Sequence, residues 1–518
     1  MIPIIPMPNG AATVGKETVG LPRNLTADLG GFDSWVLEAF CARTGCGLTQ
    51  GEPWLRLCRD AAIPREGYHL TVTAEGATLS ASEEAGIVHG LTSLYQLAVD
   101  GTVPLCDITD HPRYGYRGLN FDCARHFFPA SHVKQVIEEL SMVKMNVLHW
   151  HLTDDQAFRI ESKRFPQLHE ASGQFYTQEE IRDIVEYARV RGVEIIPEID
   201  LPGHTTGILT AFPQFGCFGK EVKLATSGGI FSVILCAGKE DTFTFLEALL
   251  EEVCALFPSS RFHIGGDEAP KTEWAKCPHC KQRMAQLGLT EVEDLQGYFT
   301  ERVAEILKKQ GKSIVCWNDS LRARNLPEDV LIQYWTMQHL EAMERYTGKF
   351  IFSEMFDLYL DYPHSMTSLK KVYTCQPKIG KADCADAPGM EGMECCVWSE
   401  HIETPQQMGK RLFPRVYALA EAAWSEKRNY GSFRKRLPAL VARAEKAGLS
   451  CTEESWWDPR GKARREEGIA YLKAMTANIP AEAMPETEES GGNAMMLALI
   501  TKFFKVTDIP YVIKAFKK

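Results

Sequence analysis

The run HIGGDEAP at residues 263–270 sets two carboxylates, Asp267 and Glu268, side by side behind a pair of glycines. Adjacent side chains of an extended strand point to opposite faces. Such a pair therefore does not flank a scissile bond from two sides, as the two acids of an ordinary glycosidase do. It fits a division of labour. Glu268 protonates a leaving oxygen and later activates water. Asp267 holds a part of the substrate that makes the attack itself, such as the 2-acetamido oxygen of an amino sugar, and stabilises the oxazolinium ion that results. The neighbouring negative charge is expected to keep Glu268 protonated for the first step. At a strand end the chain can twist so that both acids reach one pocket, and the small residues Gly265 and Gly266 allow close approach.

Other residues could share that pocket. Arg125, His149, His151, Asp154, Asp155, Glu198, Asp200, His204, Trp317, Asn318, Asp319, Trp335, Tyr359, Asp361, Trp398 and Glu400 stand at or just beyond the ends of strand-like runs. Acids, one arginine and several tryptophans at one end of a fold suggest sugar chemistry. Indole faces stack on the apolar face of a pyranose, and charged groups bind ring hydroxyls.

The elements that must position them are eight short apolar runs: YRGLNFD (116–122), NVLHWHL (146–152), VEIIPEID (193–200), RFHIGGDE (261–268), SIVCWND (313–319), VLIQYWT (330–336), FIFSEMF (350–356) and ECCVWSE (394–400). Helical stretches such as HVKQVIEELSMVKM and QEEIRDIVEYARVRG separate most of them, although none is well defined between the seventh and eighth. Alternating strand and helix implies a parallel sheet. Eight repeats over about 300 residues suit a (β/α)8 TIM barrel, with its active site at the C-terminal strand ends.

The fold class expected is α/β, in three parts. Residues 1–112 form a small α+β domain. In it YHLTVTAEGATLSAS alternates like half-buried strands, and Ser80 and Glu83 have capping-box spacing before a helical stretch. The pair His111-Pro112 links it to a catalytic barrel over 113–430. Residues 431–518 form a helical extension: a basic helix, FRKRLPALVARAEKAG, an acidic linker, AEAMPETEESGG, and an amphipathic stretch, NAMMLALITKFFKV, read as a packing helix. Segment 205–240 reads as a loop shaping the outer pocket.

The 518 residues carry a net charge of −11, which disfavours nucleic acid as a partner. No stretch approaches the roughly 18 apolar residues of a membrane span. No signal peptide is seen, so the 16 cysteines are expected to be reduced thiols of a cytoplasmic protein. Oligomeric state is left open, and no cofactor is expected.

The ordered motifs RGLNFDCARHFFP, NVLHWHLTDDQAFRIES, PEIDLPGHT, HIGGDEAP, CVWSEHI and LFPRVYALAEAAWS resemble those of glycoside hydrolase family twenty, the β-N-acetylhexosaminidases, over residues 116 to 425. The resemblance implies a retaining enzyme that removes terminal β-linked N-acetylhexosamine from a glycan. It implies that Arg125 holds the 3- and 4-hydroxyls, and that Asp154 and His204 pair beside Glu268. Trp317, Trp335 and Trp398 box the acetamido group, Tyr359 holds its oxygen, and Asp361 and Glu400 bind the 4- and 6-hydroxyls.

Three rival readings fit parts of the sequence. HWH at 149–151 has metal-ligand spacing, and His204, His263 and Asp267 could complete a hydrolytic site, but a metal leaves the tryptophans unexplained. The pair Cys277/Cys280, in CPHC, could start a structural zinc site, but no second paired motif lies nearby. A sugar-binding module without catalysis should have lost Asp267, Glu268 or Tyr359, and all three stand.

Overall fold

The computed structural model describes residues 2–477 and 492–516. Eight parallel strands close into a barrel in chain order: β1 (Tyr116–Asp122), β2 (Val147–His151), β3 (Glu194–Glu198), β4 (Arg261–His263), β5 (Ser313–Trp317), β6 (Leu331–Tyr334), β7 (Phe350–Phe352) and β8 (Met390–Val397), with β8 pairing back onto β1. Each of the eight apolar runs supplies one strand.

Side chains alternate along these strands. Leu119, Phe121, Leu148 and Trp150 face outward and join the large core shared with the surrounding helices. Tyr116, Val147, Ile196, Val315, Leu331 and Ile351 meet inside as a small apolar plug. Further along the same strands the inward positions turn polar, with His149, His151, Glu198, His263, Gln333 and Glu394 all buried.

Two expectations need correction. The fourth strand ends at His263 rather than at 268, because Gly265, Gly266 and Glu268 adopt positive φ values of 64°, 91° and 43° and turn the chain out of the sheet. As the sequence implies, no barrel-length helix separates β7 from β8. That span holds only the short helices Met355–Leu358 and Leu369–Tyr373 and a two-stranded hairpin, in a stretch broken by Pro363, Pro377, Gly380, Pro388 and Gly389. Ser80 caps nothing: it lies inside the strand Gly76–Ala81 opposite His69, and the helix Glu84–Leu97 starts without a side-chain cap. The Glu83 carboxylate instead accepts the backbone N–H of Glu66.

The N-terminal part is a seven-stranded mixed sheet, in the order 12–20, 102–110, 68–73, 76–81, 55–59, 24–28, 47–49, with helices Glu38–Thr44 and Glu84–Leu97 packed together and the longer one lying on the central strands. Its joint with the barrel is a buried polar knot. Lys144 Nζ lies 2.7 Å from Asp110 Oδ2, both side chains fully buried. Tyr68 OH and Trp424 Nε1 also donate to Asp110, each at 2.9 Å. The Trp424 ring covers Lys144 and Arg117.

After the barrel, helix Tyr430–Lys446 buries Phe433, Leu437 and Ala444, while Arg436 grips Glu421 through two hydrogen bonds. Helices Gly461–Ala477, Gly492–Phe503 and Ile509–Phe516 lie over the thin side of the barrel. There Leu472, Leu499, Phe503 and Phe504 pack with Met355, Phe356, Tyr362 and Met366. The stretch read as an amphipathic helix is thus a packing helix. Most of the acidic stretch 481–492 lies outside the described residues. Among those described, no helix is long and apolar enough to cross a membrane.

Candidate active site

The loop after β4 carries the acids. Strand geometry would send Asp267 and Glu268 to opposite faces, but the three positive-φ residues bring both to the mouth of the barrel. A Cβ at Gly265 would lie 1.9 Å from Asp200 Oδ1, and one at Gly266 2.4 Å from Ser320 Oγ, so neither position admits a larger residue unstrained. A positive φ at Glu268 is costly for a glutamate, and such outliers concentrate at functional sites.

Around this loop the expected residues converge. His204, after β3, lies 3.6 Å through Nε2 from Glu268 Oε2 and 3.9 Å from Asp267 Oδ2. Its Nδ1 faces two carboxylates, Asp154 Oδ1 at 3.3 Å and Asp155 Oδ2 at 3.2 Å. The sequence reading assigned only Asp154, and the geometry adds Asp155. Burial alone would lower the His204 pKa, but Asp154 and the other carboxylates outweigh it and push it well up. Asp154 in turn meets Arg125 Nη2 at 2.7 Å and His151 Nε2 at 3.0 Å. Its burial would raise its pKa, yet Arg125 and His204 hold it far below the usual range. Arg125 also lies over Trp398, 4.9 Å from the ring centroid. Its closest carboxylate is Asp154 rather than Asp122, which stands at 3.5 Å.

The aromatic side is equally compact. Trp317 and Trp398 have centroids 5.8 Å apart, and Tyr359 lies 6.0 Å from Trp398 and 6.1 Å from Trp335. Trp335 Nε1 donates to Asp319 at 2.7 Å. Asp319 stood among the strand-end residues without a role, and this bond gives it one, orienting an indole of the box. Asp267 Oδ1 is buried with no partner among the described residues. Burial, then the charges of Asp319 and Glu268, push the Asp267 pKa up to about 7 against the pull of His204.

At the far edge stand Asp361 and Glu400. Burial and the Glu400 charge raise Asp361 to about 7. Its Oδ2 accepts a 3.5 Å hydrogen bond from Tyr471 OH, and its Oδ1 is buried with no hydrogen-bond partner among the described residues. Tyr471 comes from the C-terminal extension, where no sequence signal marked it. The loop in 205–240 lies against this edge: Gly228 sits so near Glu400 that a Cβ would be 2.8 Å from Oε1, Ala225 N donates to Asp155 O, and Gln156 Nε2 to Ser227 O.

Beneath the pocket, Glu198 accepts from Trp317 Nε1 at 3.1 Å and meets His151 Nδ1 at 2.5 Å, His149 Nε2 at 3.0 Å and His263 Nδ1 at 3.1 Å. Glu394 continues the network through His149, Gln333 and Tyr116. Despite burial, Glu394 and Glu198 raise His149 to about 10, and Glu198 and Asp154 raise His151 to about 9. The residues of the imagined metal site are thereby divided: His149 and His263 serve Glu198, while His204 faces Asp154, Asp155 and Asp267. His151 touches Arg125, Asp154 and Glu198 and so positions the site. Glu198 orients this layer, and Asp200 receives the N–H of Gly266 at 3.3 Å.

Known proteins share this sequence and fold. The model of glycosyl hydrolase family 20, catalytic domain, matches residues 114–427, and that of the family's domain 2 matches residues 2–111. A β-hexosaminidase of Porphyromonas gingivalis is 33% identical over 76% of this chain and 55% of its own length. One of Akkermansia muciniphila is 31% identical over 74% and 85%. This chain thus spans just over half of the first relative and most of the second. The crystal structure of a β-N-acetylhexosaminidase from Bacteroides fragilis superposes with a TM-score of 0.78 at 31% identity, covering 87% of this chain and 96% of that one. An exo-β-N-acetylglucosaminidase from Vibrio harveyi, in complex with N-acetylglucosamine, gives 0.78 at 29%, over 87% and 78%. By motif and barrel alike, the chain belongs to glycosyl hydrolase family 20.

Proposed function

We propose that the protein is a retaining exo-β-N-acetylhexosaminidase, removing terminal non-reducing β-linked N-acetylglucosamine, and N-acetylgalactosamine where its epimeric hydroxyl is accepted, with the substrate's acetamido group as nucleophile. The observation that carries the reading is the unpaired, buried Asp267 Oδ1 beside the cup of Trp317, Trp335, Tyr359 and Trp398. A buried carboxylate oxygen calls for a donor, and an acetamido N–H beside an aromatic cup supplies one.

In the first step the acetamido oxygen forms a bond to C1 as the glycosidic C–O bond breaks. The leaving oxygen takes the proton of Glu268. Asp267 accepts the amide N–H and balances the positive oxazolinium ring; that cation favours the ionised form of Asp267. Tyr359 donates its O–H to the acetamido oxygen and so fixes the angle of attack. In the second step Glu268 takes a proton from water as the water attacks C1 and the ring opens. Two inversions give net retention. His204, held by Asp154 and Asp155, steadies Glu268 through both transfers. Arg125, Asp361 and Glu400 bind the hydroxyls. A cytoplasmic setting is proposed alongside, in keeping with sixteen free cysteines, and a thiol count on the native protein tests it.

The direct test compares aryl β-N-acetylglucosaminide with the matching β-glucoside, using wild type, Glu268→Gln and Asp267→Asn. Only the acetamido sugar should turn over, and each variant should lose at least about 10²-fold in kcat. Equal turnover of the plain glucoside would overturn substrate assistance.

A further inference from the structure

The candidate site leaves out a second cluster. Cys217, Cys236, Cys277 and Cys280 are buried, and their four sulfurs lie within 4.8 Å of one another. Cys217 and Cys280 sulfurs are 3.9 Å apart, Cys236 and Cys277 3.8 Å, and Cys236 and Cys280 3.6 Å. These spacings are far too long for disulfides, whose bond is about 2.05 Å. A zinc ion bound tetrahedrally at about 2.3 Å from each sulfur would set the sulfurs about 3.8 Å apart. The two further ligands that CPHC lacked in sequence come from two single cysteines, 19 residues apart, on another loop.

The backbone is shaped for this. An antiparallel bridge joins Gly216 to Leu235, and Cys236 N donates to Phe215 O at 2.8 Å, which sets Cys217 and Cys236 side by side. Cys277 precedes the ten-residue helix Pro278–Leu287, and Cys280 lies in its first turn. The free N–H groups and partial positive charge of a helix start favour thiolates. Gly238 is pressed onto that turn: a Cβ there would lie 2.2 Å from His279 C and 2.3 Å from Cys280 N. Trp274 Nε1 donates to Leu235 O at 2.9 Å and closes the side of the cluster.

We propose that these four cysteines bind one structural zinc ion as thiolates, and that the ion ties the loop after β3 to the segment after β4. The first loop begins at His204 and runs past Asp155 and Glu400. The second begins at Asp267 and Glu268. The zinc therefore fixes two walls of the pocket against each other without touching substrate.

Zinc content of the purified wild-type chain, X-ray absorption at the zinc edge, and hydrogen exchange over 205–240 test this. The expected result is about one zinc per chain with four sulfur neighbours at about 2.3 Å. The Cys277→Ser/Cys280→Ser double variant should lose the metal, and its exchange over 205–240 should rise at least about tenfold while exchange in the N-terminal sheet is unchanged. If that variant does not fold, cobalt exchanged into the wild type should show the absorption bands of a tetrahedral thiolate site. Wild-type protein without zinc, a mass deficit corresponding to two disulfides, or zinc retained by the double variant would each overturn the proposal.

Discussion

At Asp267 the free site and the loaded site ask for different protonation. Burial and the surrounding carboxylates push its pKa to about 7 in the free chain, while the N–H of a bound acetamido group and the cation that forms from it favour the ionised form. Because kcat/KM reports the free enzyme and kcat the complex, the acid limb of kcat/KM should fall near pH 7 and that of kcat at lower pH. A pH series on an aryl N-acetylglucosaminide checks this, and coincident limbs would contradict it. Stability carries the opposite sign. A carboxyl raised in the folded state contributes stability below its unfolded pKa and loses it as pH rises toward 7. Asp267→Asn should therefore be more stable than wild type at pH 8 and no more stable near pH 4, as measured by thermal unfolding. The residue types of this site were legible because the chemistry demands them in ordered motifs. The sharing of His204 between Asp154 and Asp155 was not, since both acids stand in one DD pair and only the fold decides which oxygens reach the ring. Asp319 was hidden for a related reason: its role depends on Trp335, a neighbour supplied by the next strand.

The elements repeat this contrast. Each barrel strand stood out as a short apolar or β-branched run, because a strand buried on both faces must be apolar outward and can be recognised without its partners. Strand ends were less legible. The fourth run looked continuous to 268, yet glycines at 265 and 266 end it at His263. Helices after β5, β6 and β7 are short, and the helices of the C-terminal extension cover that side. Tyr471 arrives in the pocket this way. Its hydroxyl donates to Asp361 Oδ2, and Tyr471→Phe should cost about 0.5–1.5 kcal/mol of binding. That is a several-fold rise in KM with kcat nearly constant, measured by steady-state kinetics. An unchanged KM would remove Tyr471 from the site. No sequence pattern pointed to it, because its partner lies 110 residues earlier in the chain.

For the whole molecule, the joint between the N-terminal sheet and the barrel is charged where cores are usually apolar. Lys144 and Asp110 are fully buried and pair at 2.7 Å. Burial lowers the Lys144 pKa, and Asp110 opposes that fall. Removing one partner of such a pair leaves an uncompensated charge. Lys144→Met should therefore destabilise the chain by about 3–5 kcal/mol, read from urea unfolding, and adding Asp110→Asn should restore part of the loss. The division into a sheet domain and a barrel was visible in the sequence as a change of periodicity. The joint was not, because one lysine and one aspartate 34 residues apart look like ordinary surface charges until the fold buries both.

The layer of Glu198, Glu394 and three histidines under the pocket has one further consequence. As a glycosidic bond breaks, positive charge grows at C1 within a fraction of the time a side chain needs to rotate. Water would have to turn its dipoles to meet that charge, and that turning adds to the barrier in solution. Here the two carboxylates beneath the pocket are already held, Glu198 by His149, His151, His263 and Trp317 and Glu394 by His149, Gln333 and Tyr116, and have little room to turn. The barrel floor therefore acts as a solvent whose reorganisation energy was spent when the chain folded.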